Sequence, residues 1–235
     1  MIESVNNERI KEFSKLNMKK YRDETGMFIV EGEHLVEEAL KYMEVVEVFS
    51  LDGRENTTQV SESVMAKLSD LKSVPPILAI LKKKENTIPN GNILVLDNIQ
   101  DPGNLGTIIR SAKAFDFKAI ILSDDSVDEY NSKVIRASEG MMFSTNIVRV
   151  NLNDFLLDIK NNYDILTTDV NDGENISDFK SEFDIALIMG NEGNGVRPEI
   201  AALADKKIYI PMSDGVESLN VGVAASILMY EINKK

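Results

Sequence analysis

The sequence predicts an α/β protein: a mostly parallel sheet in its second part, preceded by a smaller α/β domain. Three observations carry this. From residue 93 onward, continuous apolar segments of strand length alternate with helical stretches, and strands apolar on both faces belong to a parallel sheet covered on both sides. A polar, turn-rich run, KENTIPNGN at 84–92, separates this region from the first 85 residues. The 235 residues are 43% hydrophobic, enough to bury a core.

In the first part, residues 4–22 read as helical. Residues 28–42, FIVEGEHLVEEALKY, read as a strand, a turn at Gly32 and a helix. VVEVFSL (45–51) reads as a strand, and SESVMAKLSD (61–70) as a helix with Val64, Met65 and Leu68 on its apolar side. Val74-Pro75-Pro76 then breaks regular structure. In the second part the strand candidates are 93–98, 118–123, 146–150, 163–170, 184–190 and 206–212. Helical stretches occupy 105–115, 132–143, 152–162 and 217–233. The expected domains are 1–85 and 90–235.

Composition excludes several functions. With no Cys and one His, there is no disulfide framework, thiolate metal site, cysteine nucleophile or histidine cluster, so no metal is expected. His34, near a helix start, reads as structural. No apolar run approaches a membrane span, and MIESVNNERI lacks a signal-peptide core, so a cytoplasmic protein is expected. Net charge is −13, with −3 in residues 1–85 and −10 thereafter. Against that average run Arg9, Lys11, Lys15, Lys19, Lys20 and Arg22, and the knot Lys82, Lys83, Lys84. Each reads either as a solvated face or as a phosphate-facing patch.

Three loops follow strand ends, the edge where open α/β sheets bind ligands. In DNIQDPGNLGTIIRSA (97–112), Pro102-Gly103 makes a turn, Asn104 suits an N-cap, and Arg110 lies within two helical turns. In MGNEGNGV (189–196), Gly190, Gly193 and Gly195 permit positive φ and close backbone approach, and Glu192 sits among them. This is neither a P-loop nor a GxGxxG fingerprint, which argues against a nucleotide-dependent oxidoreductase. In IPMSDGVESLNVGVAASI (210–227), Ser218 reads as a cap with Asn220 in the first turn. The small-residue helix that follows is the first candidate for a dimer face.

Together these segments resemble the three motifs of the SpoU (TrmH-type) family of the SPOUT superfamily, S-adenosyl-L-methionine-dependent RNA 2′-O-ribose methyltransferases. The resemblance covers about 90–235 and keeps order and spacing. FIVEGEHLVEEAL resembles, more loosely, the RNA-binding domain similar to a small ribosomal-protein fold that often precedes it. The resemblance implies a C-terminal trefoil knot that forms the cofactor pocket, and a homodimer through the C-terminal domain in which each site borrows from the partner. It implies cofactor contacts at Gly190, Ile210 and Leu219, with Thr168 and Met212 as neighbours. It implies catalytic and RNA-facing roles for Asn104, Arg110, Glu192, Ser218 and Asn220.

A sulfonium methyl is already electrophilic, while the ribose hydroxyl must lose a proton. A free guanidinium stays protonated, so Arg110 acts either as a base in an unusual environment or by orienting hydroxyl and phosphate. Asn104 and Glu192 are expected to fix it, and Ser218 and Asn220 to shape the pocket. Two departures from the family pattern, Glu139 with Met141-Met142 and Gly222, bear on substrate identity. The expected substrate is ribosomal RNA ahead of transfer RNA, with RNA contact at the two basic runs, Arg110 and Arg136. A noncatalytic RNA-binding protein that keeps the fold is the remaining alternative.

Overall fold

The computed structural model describes residues 1–170 and 172–234, and its chain divides into two compact units. Asn171 and Lys235, both inside the expected 90–235 domain, lie outside the described residues. The first unit opens with α1 (Glu8–Ser14), capped by the Asn7 side chain, a 3-10 turn at Lys15–Asn17, and α2 (Lys19–Thr25), which ends on Gly26 at φ 65°. Then come β1 (Met27–Glu31), α3 (Glu33–Leu40), β2 (Val45–Ser50), β3 (Thr58–Gln59), α4 (Glu62–Leu68) and β4 (Ile77–Lys82). Sheet order is β1-β4-β2-β3, with β4 antiparallel to both β1 and β2. Ile10, Leu16, Phe49, Val64, Met65 and Leu68 pack one core against it.

The second unit runs β5 (Ile93–Leu96), α5 (Pro102–Ala114) and β6 (Ala119–Ser123). The chain then leaves it for α6 (Ser132–Ala137) and returns for β7 (Asn146–Val150), α7 (Leu152–Ile159) and β8 (Tyr163–Thr168). It ends with β9 (Glu174–Asn175), β10 (Asp184–Met189), α8 (Pro198–Ala201), β11 (Lys206–Tyr209) and α9 (Val221–Asn233). The sheet is seven-stranded and parallel, in the order β7-β6-β5-β10-β8-β11-β9. β5 and β6 are buried end to end, and β10 from Ile185 onward, as their apolar sequences require. α5 and α9 lie against each other: the Ser111 and Ser226 hydroxyls are 2.7 Å apart. A Cβ on Gly222 would lie 3.2 Å from Asn220 Oδ1 and 3.3 Å from Thr107 Cγ2, so a larger residue there must displace those side chains slightly.

Residues 130–144 depart from expectation. They are not one helix but α6 and a 3-10 turn at Met141–Ser144, and they pack in the first unit. The Tyr130 and Phe143 rings lie 4.7 and 6.5 Å from Phe28, and the Ser132 hydroxyl donates to Asp70 at 2.7 Å. Arg136, expected at the active site, lies in this segment, 3.6 Å from the buried Glu31 carboxylate.

The basic runs are largely engaged within the first unit. Arg22 is buried and donates to the Leu16 carbonyl, so it is no phosphate contact. Lys19 and Lys83 pair with Asp23, Lys20 with Glu24, Arg9 with Glu47, and Lys82 with Glu44. Lys84 donates to the Phe143 carbonyl. Lys15 lies over the Tyr21 ring, and among the described residues neither it nor Lys11 has a carboxylate partner.

Candidate active site

The C-terminal ends of β5, β10 and β11 deliver three segments of the second unit to one place. The first begins at Asp97, the residue after β5. Asn98 follows with φ 58°, a left-handed conformation that Asn tolerates. The N-cap of α5 is Asp101, whose carboxylate accepts from Asn104 N–H at 2.8 Å, with Pro102 in the first turn. Asn104 is therefore not the cap, as expected from sequence, but sits inside the first turn with its amide free for other work. Pro fits the first helical position because its missing N–H would have no partner there.

The second segment is the turn after β10. It is folded on itself: Asn191 and Gly195 exchange backbone hydrogen bonds at 3.0 and 2.9 Å. Asn191 Oδ1 accepts from the N–H groups of Gly193 and Asn194, and its Nδ2 donates to the Asn98 carbonyl. Of the three glycines only Gly195 has positive φ, at 70°. Gly190 is needed for another reason. A Cβ there would fall far inside 3.0 Å of the Gly195–Val196 peptide, so the space a side chain would fill belongs to the loop's own return arm.

The third segment, residues 210–220, leads into α9. Asn220, not Ser218, is its N-cap, accepting from Gly222 N–H at 2.9 Å and Val223 N–H at 3.3 Å.

Hydrogen bonds join the three. Asn104 Nδ2 donates to Glu192 Oε1 at 2.9 Å, and Asn220 Nδ2 donates to Asn104 Oδ1 at 2.9 Å. One chain of contacts thus runs from the tip of the glycine turn, through the first turn of α5, to the N-terminus of α9. Arg110 is not part of it. It is exposed on α5 and, among the described residues, has no hydrogen-bond or ion-pair partner, so Asn104 and Glu192 do not fix it.

Beside this chain lies a cavity of about 490 Å³, within the range of small-molecule sites. Thr168, Gly190, Ile210, Met212 and Leu219 all line it, as do Glu192 and Ser218. Its charged walls are Asp169, Glu192 and Glu217 against Lys207. Lys207 is held more firmly protonated than usual, first by its hydrogen bond to Asp172 and then by the charges of Asp172 and Asp169. Sequence reasoning chose Thr168 on β8, yet its neighbour Thr167 also lines the cavity, and its buried hydroxyl has no hydrogen-bond partner among the described residues. Asp169, Glu217 and Thr167 were missed because no spacing singles them out; only the strand order brings β8 beside β10. Among the described residues no group of three acidic or His side chains could hold a metal.

Comparison with known proteins decides the family. The model of the SpoU rRNA methylase family matches residues 91–230. The chain belongs to the SpoU rRNA methylase family. An MRM3-like substrate-binding domain model matches residues 7–79. A Bacillus subtilis relative, 23S rRNA (guanosine(2553)-2′-O)-methyltransferase RlmP, is 34% identical over 98% of both chains. An AdoMet-bound rRNA methyltransferase structure from Sinorhizobium meliloti has TM-score 0.88 at 27% identity, covering 99% of this chain and 97% of that one. A TrmH-family RNA methyltransferase structure from Porphyromonas gingivalis has TM-score 0.86 at 30% identity, covering 97% and 98%. The mixed α/β architecture expected for a SpoU protein is the one observed.

Proposed function

We propose that this chain transfers a methyl group from S-adenosylmethionine to a ribose 2′-hydroxyl of large-subunit ribosomal RNA. The observation that carries the reading is the Glu192–Asn104–Asn220 chain of hydrogen bonds at the edge of the cavity closed by the glycine turn. The residues present suit the donor. It carries a net positive charge, and the walls offer three carboxylates against one paired lysine. The orphaned Thr167 hydroxyl adds an unsatisfied polar group in that wall. Gly190, Ile210 and Leu219, with Thr168 and Met212 beside them, would hold it, in the knotted segment that the family resemblance implies. Bound there, the donor supplies an electrophilic methyl on a sulfonium.

The chain's own groups do the rest. Asn104 and Asn220 hold Glu192 at the tip of the turn, where its second carboxylate oxygen can accept a hydrogen bond. Ser218, exposed in the cavity wall, shapes the entrance. Arg110, with no hydrogen-bond or ion-pair partner among the described residues, is available to hold the RNA phosphate and orient the attacking hydroxyl, and such positioning alone removes several kcal/mol from a barrier. In this reading α9 also forms the homodimer face: Val223 and Tyr230 are 47% and 49% exposed, and Tyr230 sits edge-on to Phe115. Residues 1–85 act as the RNA-binding domain, with Lys11 and Lys15 as its available cations. No helix among the described residues is long and apolar enough to cross a membrane.

Arg110→Ala tests the assignment. It abolishes methyl transfer while calorimetry shows donor binding intact; unchanged turnover removes Arg110 from the reaction, and absence of donor binding to the wild-type protein removes the reading.

A further inference from the structure

The glycine turn is fastened from behind by an ion pair, on a buried carboxylate, that no motif reading singled out. Asp97, at the end of β5, is fully buried. Its N–H donates to the Met189 carbonyl at 2.9 Å, at the start of the turn. Its carboxylate receives the backbone N–H and the Nε–H of Arg197, each at 2.8 Å, at the other end of the turn, and the guanidinium pairs with it again through Nη2. Arg197 also reaches Asp125, in the loop after β6, at 3.2 Å. One residue thus grips both ends of residues 189–197. Neither Asp97 nor Arg197 lines the cavity, whereas every residue from Met189 to Val196 does.

A charge wholly out of water persists only when paired and hydrogen-bonded. Here Asp97 Oδ2 takes the backbone N–H of Arg197 while Oδ1 faces both Nε and Nη2 of its guanidinium, a paired donor that a lysine ammonium lacks. The Asp97 contact also holds Arg197 more firmly protonated than an ordinary arginine.

We propose that Asp97 and Arg197 are positioning residues of the donor site: their ion pair holds the glycine turn closed in the shape that receives the methyl donor and presents Glu192 to Asn104. The inference rests on the donor-site reading above, and two readouts separate the two ideas.

The variants are Asp97→Asn, which keeps size but loses charge, and Arg197→Lys, which keeps charge but loses the fork. Asp205→Ala is the control. It removes a hydrogen bond to Ile165 N–H that does not involve the glycine turn. The first readout is amide exchange in the donor-free protein. Asn191 and Gly195 amides exchange about tenfold faster in Asp97→Asn and less so in Arg197→Lys, with strand amides of β5 and β8 unchanged. The second is calorimetry with S-adenosylmethionine well below the unfolding midpoint. The dissociation constant rises about tenfold in Asp97→Asn, less in Arg197→Lys, and not in Asp205→Ala even where that variant melts earlier.

Exchange and affinity both at wild-type values in the folded variants overturn the proposal. Accelerated exchange with unchanged affinity overturns it too, because the turn then does not need holding. Failure of the wild-type protein to bind the donor refutes the donor-site reading instead, and turn exchange at the wild-type rate in Asp97→Asn still refutes the latch.

Discussion

Gly190→Ala is the sharpest perturbation the turn offers. The new Cβ would meet the backbone of Gly195 and Val196, not a side chain that can swing away. Overpacking of this kind costs about 1–3 kcal/mol. Relief requires opening the turn, which breaks the two Asn191–Gly195 backbone bonds, at about 1 kcal/mol each. The two costs are alternatives: the variant either carries the strain or gives up the two bonds, about 2 kcal/mol away from the wild-type turn in either case, so a donor that needs that shape binds about 10- to 30-fold more weakly. The loss is local, so the thermal midpoint without donor moves far less than the affinity. Calorimetry with S-adenosylmethionine measures it, and Gly193→Ala is the companion. A Cβ at Gly193 meets only Asn191 Oδ1, at 3.5 Å, an ordinary contact, and its φ is not positive. That variant binds as wild type. Gly190→Ala binding within about threefold of wild type would refute the steric argument, and equal losses in both variants would mean that flexibility, not closure, is what the glycines provide.

Two further outcomes follow from single contacts. Asn220→Ala removes the cap of α9, costing about 1 kcal/mol and lowering the midpoint by about 2–4 °C at this chain length. Asn220→Asp restores the cap but not the amide donor to Asn104, so it recovers the midpoint and not the turnover; recovery of both would deny Asn104 its need of that bond. Asp23 is held down to about 2 by hydrogen bonds from Lys19 and then Lys83. A carboxyl lowered on folding stabilises above its unfolded value near 4, and that contribution is lost as pH falls from about 4 toward 2. Solvent screening at this exposed site leaves a few tenths of a kcal/mol. Asp23→Asn, or molar salt, flattens that part of an acid-denaturation curve, and an unchanged curve would mean the pairs carry no stability.

Much of the architecture was legible because it is local. Apolar runs such as ILVL and AIILS mark buried strands, and Gly32 marks the turn between β1 and α3, at φ 90°. The three motif loops could be placed at strand ends for the same reason. What was not legible is non-local or a matter of competing caps. Strand order, which puts β8 between β10 and β11 and brings Asp169 and Thr167 to the cavity, depends on crossovers that no periodicity encodes. Residues 130–144 look helical and continuous with their flanks, yet Tyr130 and Phe143 find Phe28, about a hundred residues away in the chain. β3 and β9, two residues each, are too short to show a pattern. Asp101 and Asn104 are both good caps, as are Ser218 and Asn220. Pro102 decides the first choice in hindsight, and the hydrogen bond to Asn104 accompanies the second.

The most direct measurement incubates the purified protein with methyl-labelled S-adenosylmethionine and unmodified large-subunit ribosomal RNA, then digests the RNA with alkali. A methylated 2′-oxygen blocks cleavage at its own nucleotide. The account predicts label confined to one alkali-resistant dinucleotide, present with the wild-type protein and lost with Arg110→Ala. Label released as a modified base, or no incorporation by a folded protein that binds the donor, would contradict it.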